Sequence, residues 1–192
     1  MKRLLQSIVV LFAISATVAA GAESGAVGTP LQIDPGQTTI EFSLGSLLHT
    51  VHGTFKLKRG NLRFDPGTGQ ASGELVVDAA SGESGNKSRD NRMHKDILES
   101  GRYPDIIFRL DRVSGKVASQ GESKGELHGM FSIHGAEHEL TIPIEVTAAD
   151  GVYHATGKFV VPYVEWGMKN PSTLFLRVSD KVELTFHTVA QP

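Results

Sequence analysis

Hydrophobic and polar residues alternate along most of the chain beyond Leu31. Ile40, Phe42 and Leu44 fall on one face of an extended segment, and the residues between them are polar. The same alternation recurs in residues 54–58, 74–78, 106–111, 139–146 and 181–187. A period of two with one apolar face is typical of antiparallel strands that bury one face against a core.

Turn signals separate these segments, among them Asp65-Pro66-Gly67 and Asp150-Gly151. Strands joined by tight turns are typical of a meander that closes into a barrel or a sandwich. The alternation predicts about eight strands in all. We therefore predict an all-β fold, a single antiparallel β-barrel.

One segment breaks the alternation, and it extends from Asn86 to Ser100. Met93 and Ile97 lie four residues apart, as apolar residues on one face of a helix do. Gly101 then supplies a stop signal. The pattern predicts one short amphipathic helix inserted between two strands.

The N-terminus reads as a secretory signal peptide over residues 1–22. Lys2 and Arg3 precede an apolar run from Leu4 to Ala20, and Ala20-Gly21-Ala22 offers small residues for cleavage. A transmembrane anchor is the alternative, but the run is short and no charged residue follows it directly. We predict cleavage after Ala22, a barrel domain over residues 23–192, export to the periplasm, and no membrane span after cleavage.

The amino-acid composition excludes several kinds of functional site. The sequence contains no cysteine, which excludes disulfides and thiolate nucleophiles. A formal net charge of −2 gives no electrostatic reason to expect nucleic acid or an anionic membrane as partner. The sequence also lacks a nucleophile-elbow, zinc-protease or phosphate-loop motif. We expect no catalytic residues and no cofactor.

The inward positions of the predicted strands are mainly Phe, Leu, Ile and Val. Such an interior either packs solid or accepts an apolar ligand, and the alternation alone leaves both open.

Several blocks of the chain together carry a family resemblance. In chain order they are Ile33-Asp34-Pro35, residues 40–43, residues 51–55, Asn86 with Arg89 and Asp90, Tyr103-Pro104 with Ile107-Phe108, residues 129–135, residues 166–168 and residues 180–182. Their order and spacing resemble those of the YceI-like family of exported polyisoprenoid-binding, lipocalin-like proteins. The resemblance implies a lipocalin-like barrel with an inserted helix and a hydrophobic tunnel that holds an isoprenoid chain. Two departures are Arg92, where the family tends to place a histidine, and the histidine-containing stretch 47–52.

With the resemblance, the inward positions become candidates for the wall of a ligand tunnel. The predicted wall residues are Phe42, Phe55, Phe108, Ile142, Ile144, Phe159, Trp166 and Leu184. Plain core packing is the alternative for all of them. For Trp166, a loop plugged by its own tryptophan is a further alternative.

Basic residues of the helical segment form a predicted polar rim: Arg89, Arg92, Lys95 and Arg102. Such side chains could bind a polar or phosphorylated head group. The alternative is a solvated helix face with ordinary surface ion pairs. For Asn86, Arg89 and Asp90 we favour a structural role, with Asp90 as a helix cap or as an arginine partner. The alternative is that these residues order the loop that closes one end of the tunnel.

His128, His134 and His138 suggest a metal site at first sight. His128 and His134 are separated by about 20 Å on an extended strand, which is too far for one ion. His134 and His138 flank a turn and could approach each other, but a site would need a third ligand, for which Glu137 and Glu139 are only loose candidates. We therefore predict no metal.

The sequence thus predicts a periplasmic lipid-binding protein that shields a long apolar chain, isoprenoid or quinone-like, for transport or storage. The partner is the lipid, and a homodimer is left open. One alternative is an envelope stress protein with a filled barrel that acts through a protein partner. The other is a hydrolase that uses histidine and carboxylates.

Overall fold

The computed structural model describes residues 28–192, and these form nine strands. The predicted signal peptide lies outside the described residues. The strands are β1 (Thr29–Ile33), β2 (Thr39–Gly45), β3 (Thr50–Phe64), β4 (Gln70–Glu83), β5 (Asp105–Lys116), β6 (Gly121–Ile133), β7 (Ala136–Ala149), β8 (Val152–Val161) and β9 (Val182–Gln191). No helix within residues 28–192 is long and apolar enough to cross a bilayer.

The strands close into an antiparallel barrel. From β2 the hydrogen-bonded order runs through β9 and then back along the chain to β4, and pairing of β4 with β3 closes the ring. β1 and β2 share one place between β3 and β9, because β1 pairs with Gly60–Phe64 of β3 and β2 pairs with Thr50–Phe55. Nine strands therefore fill eight positions, and the predicted barrel of about eight strands is confirmed.

The predicted helix is also confirmed, in two parts. Helix α1 (Lys87–Arg92) continues into a π-helical turn at Met93–Ile97. Asp90 has a structural role, but the helix cap is another residue. Asn86 is the cap, because it directly precedes the first helical residue and its side chain accepts a hydrogen bond from the Arg89 amide at 3.1 Å. Asp90 instead accepts hydrogen bonds from the Ser84 amide and hydroxyl.

The connections divide between the two ends of the barrel. The helical segment, the β2–β3 and β6–β7 turns and the long β8–β9 loop (residues 162–181) lie at one end. Tyr163 anchors this loop, since its hydroxyl donates a hydrogen bond to the Ser179 carbonyl oxygen at 2.6 Å. Asn170 donates a second hydrogen bond across the loop, to the Val178 carbonyl oxygen at 3.2 Å.

Replacing Gly129 with alanine is expected to destabilise the barrel by about 1–3 kcal/mol, because overpacking forces the backbone apart. Gly129 faces a register shift in the β5–β6 pairing, and a Cβ there would lie 2.1 Å from the Arg109 carbonyl oxygen. Urea unfolding measures the change. Gly45→Ala is the control, because a Cβ at Gly45 meets nothing within 4 Å. Equal stability of the two variants would contradict this account.

Tyr163 is expected to titrate above the usual range of a tyrosine. Burial, with a smaller contribution from the negative charge of Asp180, raises the pKa of Tyr163 to about 12. The folded pKa exceeds the unfolded value of about 10, so this contribution to stability is complete below pH ~10 and is lost as the pH rises through ~12. Tyrosinate absorbance in the wild type and in Tyr163→Phe measures the effect. A difference between the two absorbance curves that appears near pH ~10 would refute it.

Candidate functional site: an apolar tunnel through the barrel

A cavity of about 640 Å³ runs along the inside of the barrel. Its lining reaches from Leu31, Phe64 and Val117 towards one end to His49 and Arg92 at the other. The volume lies in the range of sites that hold a small organic ligand, about 300–1,000 Å³. The interior is therefore an open tunnel and not a solid core.

The wall of the tunnel is built almost entirely from apolar side chains. They come from inward positions of the strands, where every second residue faces the interior. β7 illustrates this, because Ile142, Ile144 and Val146 line the tunnel while the residues between them are exposed. No aspartate or glutamate lies among the described residues that line the cavity.

Aromatic rings lie over glycines, which helps to keep the tunnel open. A Cβ built at Gly53 would lie 2.4 Å from ring carbons of Phe42, and one at Gly157 would lie 2.4 Å from a ring carbon of Phe186. In each case the ring occupies the space that a side chain on the neighbouring strand would need. The rings are thus held close to the backbone of the neighbouring strand.

The structure brings most of the predicted wall residues together around this cavity. Seven of the eight line it: Phe42, Phe55, Phe108, Ile142, Ile144, Phe159 and Leu184. Trp166 does not. The chain has left the barrel wall by residue 166, and the indole stacks on His138 with ring centroids 3.8 Å apart and planes 6° apart. Trp166 therefore packs beside β6 and β7, against Phe131 and His138, outside the lining of the cavity.

The tunnel opens through a mouth at the helical end of the barrel. The tunnel mouth comprises Ser46, His49, Ser84, Asn86, Ser88, Arg89, Arg92, Pro171, Leu176 and Val178. Hydroxyl, amide and guanidinium groups therefore surround the opening, while the walls behind it are apolar. Sequence reasoning missed the serines and His49, although the unusual histidine-containing stretch 47–52 was a signal.

The predicted rim divides into two pairs. Arg89 and Arg92 lie at the tunnel mouth, whereas Lys95 and Arg102 do not line the cavity. Arg89 is held in place, because its guanidinium donates hydrogen bonds to the Ser84 hydroxyl at 2.7 Å and carbonyl oxygen at 2.9 Å. The guanidinium of Arg102 instead lies 5.0 Å from the centroid of the Tyr103 ring. Lys95 is exposed on the π-helical turn.

The histidines that suggested a metal site have separate partners. His128 makes hydrogen bonds with Ser114 at 2.7 Å and Thr141 at 2.9 Å. The ring of His134 packs on Tyr103, with centroids 4.8 Å apart. Within the part of the chain that the structure describes, no three His, Asp or Glu side chains are grouped so that they could hold a metal ion.

The geometry combines an apolar tube with a mouth whose two arginines can only donate hydrogen bonds. Such a site can hold a long apolar chain and interact with an anionic or hydrogen-bond-accepting head group at its opening.

Solved structures with similar folds come from several bacteria. BcnA of Burkholderia cenocepacia aligns with a TM-score of 0.68 at 19% identity, over 82% of this chain and 98% of that one. A domain from Saccharophagus degradans, described as polyisoprenoid binding and implicated in plant cell wall breakdown, aligns with a TM-score of 0.65 at 13% identity, over 84% and 97% of the two chains.

Relatives in sequence carry the label UPF0312 protein. One from Pseudomonas savastanoi pv. phaseolicola is 30% identical over 140 residues, which are 71% of this chain and 67% of the relative. One from Vibrio parahaemolyticus is 27% identical over 144 residues, or 72% and 74% of the two chains. The family model described as YceI-like domain matches residues 31–190, which include nearly the whole barrel. The chain therefore belongs to the YceI-like domain family.

Proposed function

We propose that this protein binds one long apolar lipid, isoprenoid or quinone-like, inside its barrel and shields it from water for transport or storage in the periplasm. The continuous apolar tunnel carries the proposal. On this view the protein is a binding protein and not an enzyme.

Hydrophobic burial can supply the affinity without many specific contacts. Each methylene removed from water contributes about 0.8 kcal/mol. About ten methylenes would contribute about 8 kcal/mol, which corresponds to a dissociation constant of about 1 μM before the costs of association. A smooth apolar wall suits a ligand that is recognised by length and thickness more than by polar groups.

The comparisons support the class of ligand. The Saccharophagus degradans domain is described as polyisoprenoid binding, and it shares the fold of this chain. Because the identity between the two is 13%, the particular lipid follows from this chain's own wall and mouth residues.

Export to the periplasm would place the protein where a long apolar lipid needs a carrier. The predicted signal peptide at residues 1–22 would deliver the barrel to the periplasm. A long apolar chain is insoluble in that aqueous space, and a carrier that encloses it lowers the cost of moving it between membranes.

The two alternative functions have less support. A hydrolase that uses histidine and carboxylates needs these groups together at a cleft, and His128, His134 and His138 each pack or bond with a different residue. A partner-binding protein with a filled barrel does not fit the open tunnel.

Filling the tunnel should displace the lipid. Ala155 lines the cavity, and Ala155→Phe would place a ring in the space that the chain is proposed to occupy. We expect the amount of copurifying lipid, measured by mass spectrometry of organic extracts, to fall several-fold. His154→Phe is the matched control, since His154 is exposed on the same strand. Wild-type protein without extractable lipid, or equal loading of both variants, would count against the proposal.

The two basic residues Arg92 and Lys95 should differ in their effect on a charged ligand. Arg92 lies at the mouth and Lys95 does not line the cavity. Arg92→Ala is expected to weaken binding of a short isoprenyl phosphate about fivefold, equivalent to about 1 kcal/mol for an exposed ion pair. Binding of the corresponding isoprenyl alcohol should not change. Calorimetric titration of both ligands is the measurement, and an equal loss in Lys95→Ala would show that the helix acts only through its general charge.

A further inference from the structure

Four large apolar side chains are exposed at the same end of the barrel as the tunnel mouth. Leu47 and Leu48 are 72% and 76% exposed at the β2–β3 turn, and Leu174 and Phe175 are 90% and 88% exposed in the β8–β9 loop. We call these four residues the apolar tips. None of them lines the cavity.

The two loops that carry the apolar tips are joined by main-chain hydrogen bonds. The Leu47 amide donates to the Arg177 carbonyl oxygen at 2.9 Å, and the Ser179 amide donates to the Gly45 carbonyl oxygen at 2.8 Å. Ser46 and Val178 also form an isolated antiparallel bridge. The tips therefore project from one connected piece of backbone and not from two independent loops.

This piece of backbone forms part of the tunnel mouth. Ser46 and His49 flank the first pair of tips, and Leu176 follows the second pair directly. An apolar surface against which the tips pack would therefore be adjacent to the tunnel opening. A lipid could pass from such a surface into the tunnel with little exposure of its chain to water.

The charge around the mouth differs from that of the whole chain, whose formal net charge is −2. The segments 44–49, 84–95 and 169–178 contain six basic residues and one acidic residue, Asp90, while Glu83 and Asp96 adjoin the second segment. Basic residues beside exposed apolar side chains are the combination that binds the surface of an anionic bilayer, where charges attract and apolar groups enter the interface.

Resting on the proposed function, we infer that the apolar tips form a docking surface for an anionic phospholipid bilayer, with the tunnel mouth facing the membrane. Leu47, Leu48, Leu174 and Phe175 enter the interfacial region, while Lys169 and Arg177 remain at the level of the phosphates. The lipid enters and leaves the tunnel in this docked position.

Flotation with vesicles tests the inference. The protein should begin at Glu23, which retains every strand and omits the apolar run at residues 4–20. It is mixed with vesicles of phosphatidylcholine alone, or of phosphatidylcholine and phosphatidylglycerol. We expect wild-type protein to float with the anionic vesicles, and a variant with serine at all four tips to bind them about tenfold less, because interfacial binding scales with buried apolar area.

Two further variants separate the contribution of the apolar tips to vesicle binding from that of the basic residues. Val160→Ser removes an apolar side chain that is 48% exposed on β8, outside the tips, and should float like the wild type. A Lys169→Ala and Arg177→Ala double variant should lose most of the preference for anionic vesicles, because each basic residue contributes to the attraction.

Farnesol binding in solution, measured by calorimetry, distinguishes this inference from the proposed function. The tip variant should bind farnesol like the wild type. Absence of farnesol binding in all variants would reject the proposed function, whatever the vesicles show. Equal flotation of the tip variant and the wild type, or no flotation of the wild type, would overturn the docking surface. A dimer that the tip variant converts to a monomer, without vesicle binding, would likewise overturn it and assign the tips to a second copy of the chain.

Discussion

The structure depends on an apolar barrel interior that is prevented from packing solid. An interior of eight strands is narrow, and large side chains on facing walls could fill it. Here the rings of Phe42 and Phe186 lie over Gly53 and Gly157 of neighbouring strands, so large residues bury their surface against the wall. Burial of the rings stabilises the fold, and the space that they leave along the axis becomes the tunnel of about 640 Å³.

This arrangement also explains what the sequence could and could not predict. Strands whose inward residues are large, such as β7, show clear alternation, and most of the predicted wall residues come from such strands. In β6 and β8 the alternation is weak, because inward positions hold small residues such as Gly129 and Gly157. Those small residues make room for rings from other strands. The glycines that weaken the hydrophobic alternation in the sequence therefore also help to keep the tunnel open.

Residues outside the strands were harder to place. The spacing within residues 86–100 predicts the helix but not which of its basic residues faces the tunnel, because that depends on how the helical segment packs on the barrel end. The position of Trp166 depends on its stacking with His138, a contact between a loop and a distant strand that no local period reveals. The formal net charge likewise does not predict the basic residues at the mouth, because it sums the charges of the whole sequence and says nothing of where they lie on the surface.

A crystal structure of protein purified from cells without detergent would show whether the tunnel holds a lipid. We expect elongated electron density along the tunnel between Leu31 and Phe108, with any polar end near Arg89 and Arg92. An interior closed by Phe42, Phe108 and Phe186 in other rotamers, with no elongated density, would contradict it.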